Sequence, residues 1–139
     1  MNPPEVALAM LERQGKWLLQ LRDDVAGIVY PGTWALFGGH LEPGETAMEA
    51  VQRELLEEIN WTSTQLEPWF VQNSPQRVAH FFRGSLGVPL TELTLLEGQD
   101  MVLASLAELR SGEVLSPKNA EIRPFAPSLQ WAVTELLKQ

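Results

Sequence analysis

The chain has 139 residues, of which 45% are hydrophobic and 20% charged, and its formal net charge is −8. A chain of this length can bury enough surface to fold without a metal or a disulfide, so residues 1–139 are expected to form a single domain. The sequence contains no cysteine, which excludes disulfides, thiolate zinc sites and cysteine nucleophiles and suits a reducing cytoplasm.

The charge and the apolar pattern also restrict the partners. A nucleic-acid binder usually carries a basic patch, and no cluster of lysine and arginine is visible, so nucleic acid is not an expected partner. No run approaches the roughly 20 apolar residues of a membrane helix, and the opening stretch lacks the basic start and apolar core of a secretory signal. We therefore expect a cytoplasmic protein without a membrane partner. Its acidity either serves solubility or requires a bound cation beside an anionic substrate.

The first apolar runs predict β-strands. Residues 6–11 and 17–21 read as a hairpin, because Arg13-Gln14-Gly15-Lys16 between them has turn composition. A loop rich in glycine and proline follows, and residues 34–37 then form a short strand that runs into Gly38-Gly39.

Capping signals predict the helices. Thr46 and Glu49 form a capping box, in which each side chain binds a backbone N–H of the other, so a helix should run from Ala47 to Ile59. Further strands are predicted at residues 69–72, 78–82 and 101–103, and further helices after Ser105 and over residues 128–138. This order favours an α/β fold with a mixed β-sheet sandwiched between α-helices.

The helix over residues 47–59 carries an unusual set of acids. Its apolar residues form one stripe that must face the core: Met48, Val51, Leu55 and Ile59. Glu54, Glu57 and Glu58 lie beside that stripe at spacings of three and four, so their carboxylates are expected to point the same way. Like charges four residues apart destabilise a helix by a few tenths of a kcal/mol, and Arg53 is placed to hold one of the carboxylates.

A glycine-rich loop precedes this helix. Residues 38–45, GGHLEPGE, can bring backbone oxygens close to the first turns, because glycine permits tight turns and close approach. Carboxylate and carbonyl oxygens are the ligands that Mg²⁺ and Mn²⁺ prefer. The alternative is a solvated glutamate-rich face, which three glutamates alone would favour. The loop, the cap and the arginine together favour a metal site.

This stretch resembles the Nudix box, G-x5-E-x7-R-E-U-x-E-E-x-G-U, where U is a bulky apolar residue. The matching positions are Gly39, Glu45, Arg53, Glu54, Leu55, Glu57, Glu58 and Trp61. Asn60 stands where the family has glycine. That glycine ends the helix in a left-handed conformation, which asparagine also adopts at low cost.

The resemblance implies a Nudix fold and a hydrolase that cleaves a nucleoside diphosphate linked to another group. It assigns metal binding, Mg²⁺ or Mn²⁺, to Glu54, Glu57, Glu58 and the carbonyl of Gly39. It also implies that Arg53 supports these ligands together with Glu45.

Two positions remain open for the general base that activates the attacking water. The resemblance allows a glutamate of the box, of which Glu58 is our choice, or a glutamate on a later loop. Glu97, in the stretch LLEGQD, is the best loop candidate, although an exposed loop acid without a role fits the sequence equally well.

The residues that read the substrate are less defined in the sequence. Three arginines could bind phosphate, although solvated arginines are common: Arg22, Arg77 and Arg83. Four aromatic residues could include one that stacks on a base, although aromatics at strand spacing more often belong to the core: Trp69, Phe70, Phe81 and Phe82. His40 and His80 have no visible partner in the sequence and are given no role.

Rival functions were weighed on the same residues. A Nudix-fold nucleotide-binding regulatory domain without catalysis would usually show damage among the box glutamates, and all are present here. An isomerase of the isopentenyl diphosphate type would require a cysteine. We expect a small nucleoside diphosphate derivative as partner, either a nucleoside triphosphate or a nucleotide sugar, and a homodimer is possible.

Overall fold

A computed structural model describes residues 2–139 of the protein. The helices are α1 (Ala47–Ile59), α2 (Leu106–Ser111) and α3 (Pro127–Leu137). The strands are β1 (Glu5–Arg13), β2 (Lys16–Leu21), β3 (Trp34–Ala35), β4 (Phe37–His40), β5 (Glu67–Asn73), β6 (Val78–Ser85), β7 (Asp100–Ser105), β8 (Glu113–Ser116) and β9 (Glu121–Pro124). A short 3₁₀ turn covers Leu90–Glu92. No helix within residues 2–139 has the length and apolar character needed to cross a membrane.

Seven strands form one mixed sheet. Its main path runs β3-β2-β1-β6-β5, and β4 pairs with β1 while β7 pairs with β2. The pairing of β1 with β6 is parallel, and the other pairings are antiparallel. The strands β8 and β9 form a separate hairpin. The predicted mixed sheet is therefore confirmed.

Helices cover both faces of this sheet, because β1 is apolar on both of its sides. Ala7, Ala9 and Leu11 pack in one cluster with the apolar stripe of α1. Leu8 and Met10 point to the other face and pack in a second cluster with residues of α3. The small alanines on the first face let α1 lie close to the strands, which positions its acidic side beside β4.

The structure differs from the sequence expectation in two places. The strand expected at residues 34–37 divides at Leu36, because β3 pairs with β2 whereas β4 turns to pair with β1. The β8–β9 hairpin was not predicted, since each strand has only four residues and such short alternation gives a weak signal.

Helix α1 has the predicted bounds. Both hydrogen bonds of the Thr46–Glu49 capping box are present, and the helix ends at Asn60 in the left-handed conformation with φ 54° and ψ 38°. The Asn60 N–H donates to the carbonyl of Leu56 at 3.1 Å. Asparagine thus performs the helix-ending role of the family's glycine.

The helix end gives a stability prediction. Asn60→Ala should lower the free energy of unfolding by about 1 kcal/mol, because alanine resists a positive φ. Asn60→Gly should match or exceed the parent, since glycine adopts this conformation freely. Urea denaturation of the three proteins measures both differences. The exposed Asn60 side chain makes glycine a fair control, and equal stability of the alanine and glycine variants would contradict the account.

Candidate active site

The first contact of the site joins α1 to β4, the glycine strand that contains Gly38 and Gly39. The Gly38 N–H donates to Oε1 of Glu58 at 2.8 Å, and the Glu58 residue is only 4% exposed. Gly38 has φ +144°, and a Cβ there would collide with the backbone of Ala7 and Leu8 on β1. Glycine is therefore required at this position for β4 to lie against β1 and present its amide to the helix.

The second glycine lies against another acid of α1. A Cβ on Gly39 would lie 2.5–2.8 Å from the carboxylate atoms of Glu54. Any larger residue would displace that carboxylate. The backbone of Gly39 therefore lies directly against the Glu54 carboxylate.

A third acid reaches the site from a distant segment. Oxygens of Glu54, Glu58 and Glu97 all lie within 4.8 Å of one another. Glu97 precedes β7, and its segment is tied to the end of α1: Leu96 N–H donates to the Glu58 carbonyl at 2.8 Å. The last carbonyls of a helix have no partner within the helix, so this loop completes their hydrogen bonding while it delivers Glu97.

The environment of Glu54 and Glu58 disfavours their charged forms. Burial, followed by the neighbouring Glu97 carboxyl, raises the pKa of Glu58 to about 10. Burial likewise raises the pKa of Glu54. Three carboxyl groups this close need protons or a cation between them. Their oxygen chemistry and spacing fit a hard divalent cation such as Mg²⁺ or Mn²⁺, so the residues present suit the predicted metal.

Arg53 organises the outer side of the cluster. Its guanidinium binds both oxygens of Glu45, at 2.7 and 2.9 Å, and donates to Glu54 at 3.0 Å and to the carbonyl of His40 at 3.0 Å. The hydrogen bond from Arg53 lowers the pKa of Glu45 to about 2. This arginine therefore ties the loop before α1 to the helix. The supporting role in metal binding implied for Arg53 and Glu45 stays a prediction.

The arrangement of Glu57 differs from the expectation that all three helix carboxylates point the same way. Its side chain is 56% exposed and bound to Arg53 at 3.2 Å. Glu57 is not among the acids that share the close cluster, where Glu97 joins Glu54 and Glu58. The reason is local: residues four apart on a helix are neighbours, and Arg53 holds Glu57 on the solvent side. Metal binding by Glu57 stays a prediction.

Other contacts of the site were not foreseen from the sequence. Gln20 on β2 donates through Nε2 to the carbonyl of Glu97 at 3.0 Å, and Gln99 N–H donates to the Leu21 carbonyl at 2.9 Å. One signal was available for Gln20, which is a lone polar residue in the apolar run Trp17-Leu18-Leu19-Gln20-Leu21.

The candidate phosphate-binding arginines lie in different places. Arg22 borders a small cavity of about 70 Å³ that also touches Glu97. Arg83 lies over the ring of Trp69, 5.1 Å from its centroid, in a separate cavity of about 660 Å³ lined by none of the clustered acids. Of these two arginines, Arg22 is therefore the one that shares a cavity with a clustered acid, Glu97.

The aromatic candidates mostly belong to the core. Phe81 and Phe82 are buried, and Phe70 stacks on Phe81 with 4.2 Å between ring centroids. A base-stacking role is left to Trp69 as a prediction. His80, which had no partner in the sequence, lies 2.7 Å from the carboxylate of Glu5.

Comparisons with known proteins agree with this geometry. The family model of the NUDIX domain matches residues 1–136. Nucleoside triphosphatase NudI from Escherichia coli O1:K1 is 38% identical over 71 residues, which are 50% of this chain and 50% of that protein. The chain thus aligns with about half the length of the curated relatives it matches.

Solved structures share the fold. A MutT NUDIX hydrolase from Burkholderia pseudomallei has a TM-score of 0.76 at 18% identity, over 98% of this chain and 99% of that one. The NUDIX domain of Shewanella oneidensis NrtR, solved with ADP ribose, has a TM-score of 0.72 at 17% identity, over 99% of this chain and 88% of that one. The chain belongs to the NUDIX domain family, the family of the Nudix hydrolases.

The buried acid gives a prediction about stability. Because the pKa of Glu58 is raised from 4.5 to about 10, the folded protein binds that proton more tightly, and its stability should fall as pH rises between these values. Glu58→Gln cannot lose a proton and keeps the acceptor for Gly38. In EDTA the variant should therefore melt at the same temperature as the parent near pH 5 and at a higher temperature near pH 8.

Saturating Mg²⁺ should reverse that order. A ligand that binds only the folded state stabilises it by about 2.7 kcal/mol at a hundred times its Kd, and Glu58→Gln should lose much of this gain. Thermal melts with EDTA and with Mg²⁺ measure both effects, with Glu92→Gln as the control at an exposed acid. Strong destabilisation of Glu58→Gln in EDTA would show that its carboxylate is structural.

Proposed function

We propose that the protein is a Mg²⁺- or Mn²⁺-dependent hydrolase that cleaves the diphosphate bond of a nucleoside diphosphate linked to another group. The observation that carries this proposal is the cluster of Glu54, Glu58 and Glu97 beside the glycine strand and the Arg53–Glu45 pair. The family of the chain supports the reaction type, and the nearly complete Nudix box supports an active rather than an inactive member.

The proposed role of each residue follows from its position in the site. Glu54, Glu58 and the Gly39 carbonyl would hold the metal, and Glu57 would join them from the solvent side. A bound divalent ion supplies positive charge against the phosphate oxygens and lowers the pKa of water. Arg53 keeps Glu54 in place through its hydrogen bond. With the metal held by these residues, the diphosphate would lie where a water oxygen can attack phosphorus, and the bridging oxygen would leave with its bonding electron pair.

The attacking water must give up its proton. Glu97 is exposed at the solvent side of the cluster and lies close to Glu58, so its carboxylate would accept that proton in our preferred assignment. Its proximity to the proposed ligands also suits a second role, as a metal ligand itself. In that case Glu58 would be the base.

The substrate class follows from the relatives in coarse terms only. The E. coli relative is named a nucleoside triphosphatase, and the S. oneidensis NUDIX domain was solved with ADP ribose. Nucleoside triphosphates and ADP ribose both contain a diphosphate attached to a nucleoside. We propose a nucleoside triphosphate or a nucleotide sugar as the substrate, in a single domain over residues 1–139 that acts in the cytoplasm. A homodimer stays a prediction.

A nucleotide screen tests the activity. The purified protein should release a mononucleotide from at least one nucleoside diphosphate compound in Mg²⁺ or Mn²⁺ and not in EDTA. Glu54→Gln should remove this turnover, because it removes a proposed metal ligand, and it serves as the control against contaminating enzymes. Nucleotide binding without metal-dependent turnover across the panel would favour the binding-domain alternative.

The role of Glu97 has its own test. If Glu97 is the base, Glu97→Gln should lower kcat by about 10²–10⁴-fold while the Kd for Mn²⁺ changes little. If Glu97 is a metal ligand, the Kd for Mn²⁺ should rise, and excess metal should restore part of the activity. Glu92→Gln is the control, because Glu92 is also an exposed acid that precedes β7 in the sequence. An unchanged kcat in Glu97→Gln would transfer the base to Glu58.

A further inference from the structure

One polar side chain lies buried near the end of β2. Gln20 is 4% exposed, and its neighbours Leu19 and Leu21 are fully buried at 0%. Burying an amide without hydrogen bonds costs free energy, so a buried glutamine needs a partner. That partner is the backbone carbonyl of Glu97, which accepts from Gln20 Nε2 at 3.0 Å across 77 residues of sequence.

The loop around Glu97 lies directly on this side chain. Gly98 has φ +93°, and a Cβ there would lie 2.8 Å from the Leu21 carbonyl oxygen and 2.9 Å from Gln20 Cγ. The loop can therefore approach β2 this closely only with glycine at position 98. The Gln99 N–H then donates to the same Leu21 carbonyl at 2.9 Å.

The loop is held on its other side by α1. Leu96 N–H donates to the Glu58 carbonyl at 2.8 Å. Glu97 is thus held by hydrogen bonds to two neighbouring elements. The residue before it, Leu96, is bonded to α1, and the carbonyl of Glu97 itself accepts from Gln20 of β2. Of these two, only the bond from Gln20 depends on a side chain, so it is the one that a substitution can remove.

We propose that Gln20 is a positioning residue, which holds the Glu97 loop so that the Glu97 carboxylate lies with those of Glu54 and Glu58. Gly98 provides the close approach that makes this possible. The catalytic consequence rests on the proposed function, whereas the structural consequence does not. Gln20 does not touch substrate in this account and acts through Glu97.

The first experiment measures the loop without any substrate. Gln20→Met keeps the approximate length and removes the N–H donor, so amide hydrogen exchange by NMR at Gln99 should become about five- to tenfold faster, as expected for loss of one hydrogen bond. Gln130→Met is the matched control, because Gln130 Nε2 donates to the Phe125 carbonyl at the same 3.0 Å on α3. Unchanged exchange at Gln99 in Gln20→Met would overturn the proposal.

The second experiment measures catalysis. Gln20→Met should lower kcat by about 10- to 100-fold, the effect of a displacement near 1 Å, with little change in KM. In a Glu97→Gln background the same substitution should cause no further loss, because residues that act as one unit are not additive. Independent, additive losses would show that Gln20 acts on the fold in general and would overturn the positioning role.

Glycine variants provide a second route to the same loop. Gly98→Ala should reproduce the kcat loss and the faster exchange, because its Cβ pushes the loop away from Gln20. Gly15→Ala is the control: it has a comparable φ of +77°, but its Cβ meets nothing within 4 Å. A Gly98→Ala protein with parental exchange and kcat would contradict the proposal. If the parent itself shows no turnover, the proposed function fails while the exchange measurements still decide the role of Gln20.

Discussion

The hydrogen bond from the Gly38 amide to the Glu58 carboxylate is the contact on which the site depends. It requires α1 to lie close to the sheet, which the alanines of β1 allow, and it requires β4 to have glycine where a Cβ would strike β1. The same approach places Gly39 against Glu54. One helix-to-strand contact therefore brings two acids and a glycine backbone together, and the remaining groups are arranged around it.

Electrostatics divide the acids of this region into two sets. The outer set, Glu45 and Glu57, is paired with Arg53, and the hydrogen bond to Arg53 keeps Glu45 ionised to low pH. The inner set, Glu54 and Glu58, is partly or fully buried with Glu97 close by, and its raised pKa values show that charge there is unfavourable. Burying ionisable groups beside one another is costly unless protons or opposite charges compensate them, which sets this inner set apart from the arginine-paired outer set.

The site is assembled from elements far apart in sequence, and backbone hydrogen bonds set their relation. The carbonyls at the end of α1 accept from the loop that carries Glu97, while Gln20 and Leu21 of β2 fix its other side. Hydrogen bonds to α1 and to β2 therefore fix the position of the loop that carries Glu97. The likeness to solved structures below 25% identity concerns the fold alone.

The features that depend on nearby residues could be predicted from the sequence. The bounds of α1 follow from its capping box and from a residue that tolerates the left-handed conformation at Asn60, and the apolar runs predicted the main strands. The features that depend on contacts between distant residues are visible only in the folded chain. Glu97 joins Glu54 and Glu58 because the loop after the 3₁₀ turn folds back on α1, and Gln20 reaches it across 77 residues. The β8–β9 hairpin and the division at Leu36 likewise arise from pairing partners that local periodicity cannot reveal.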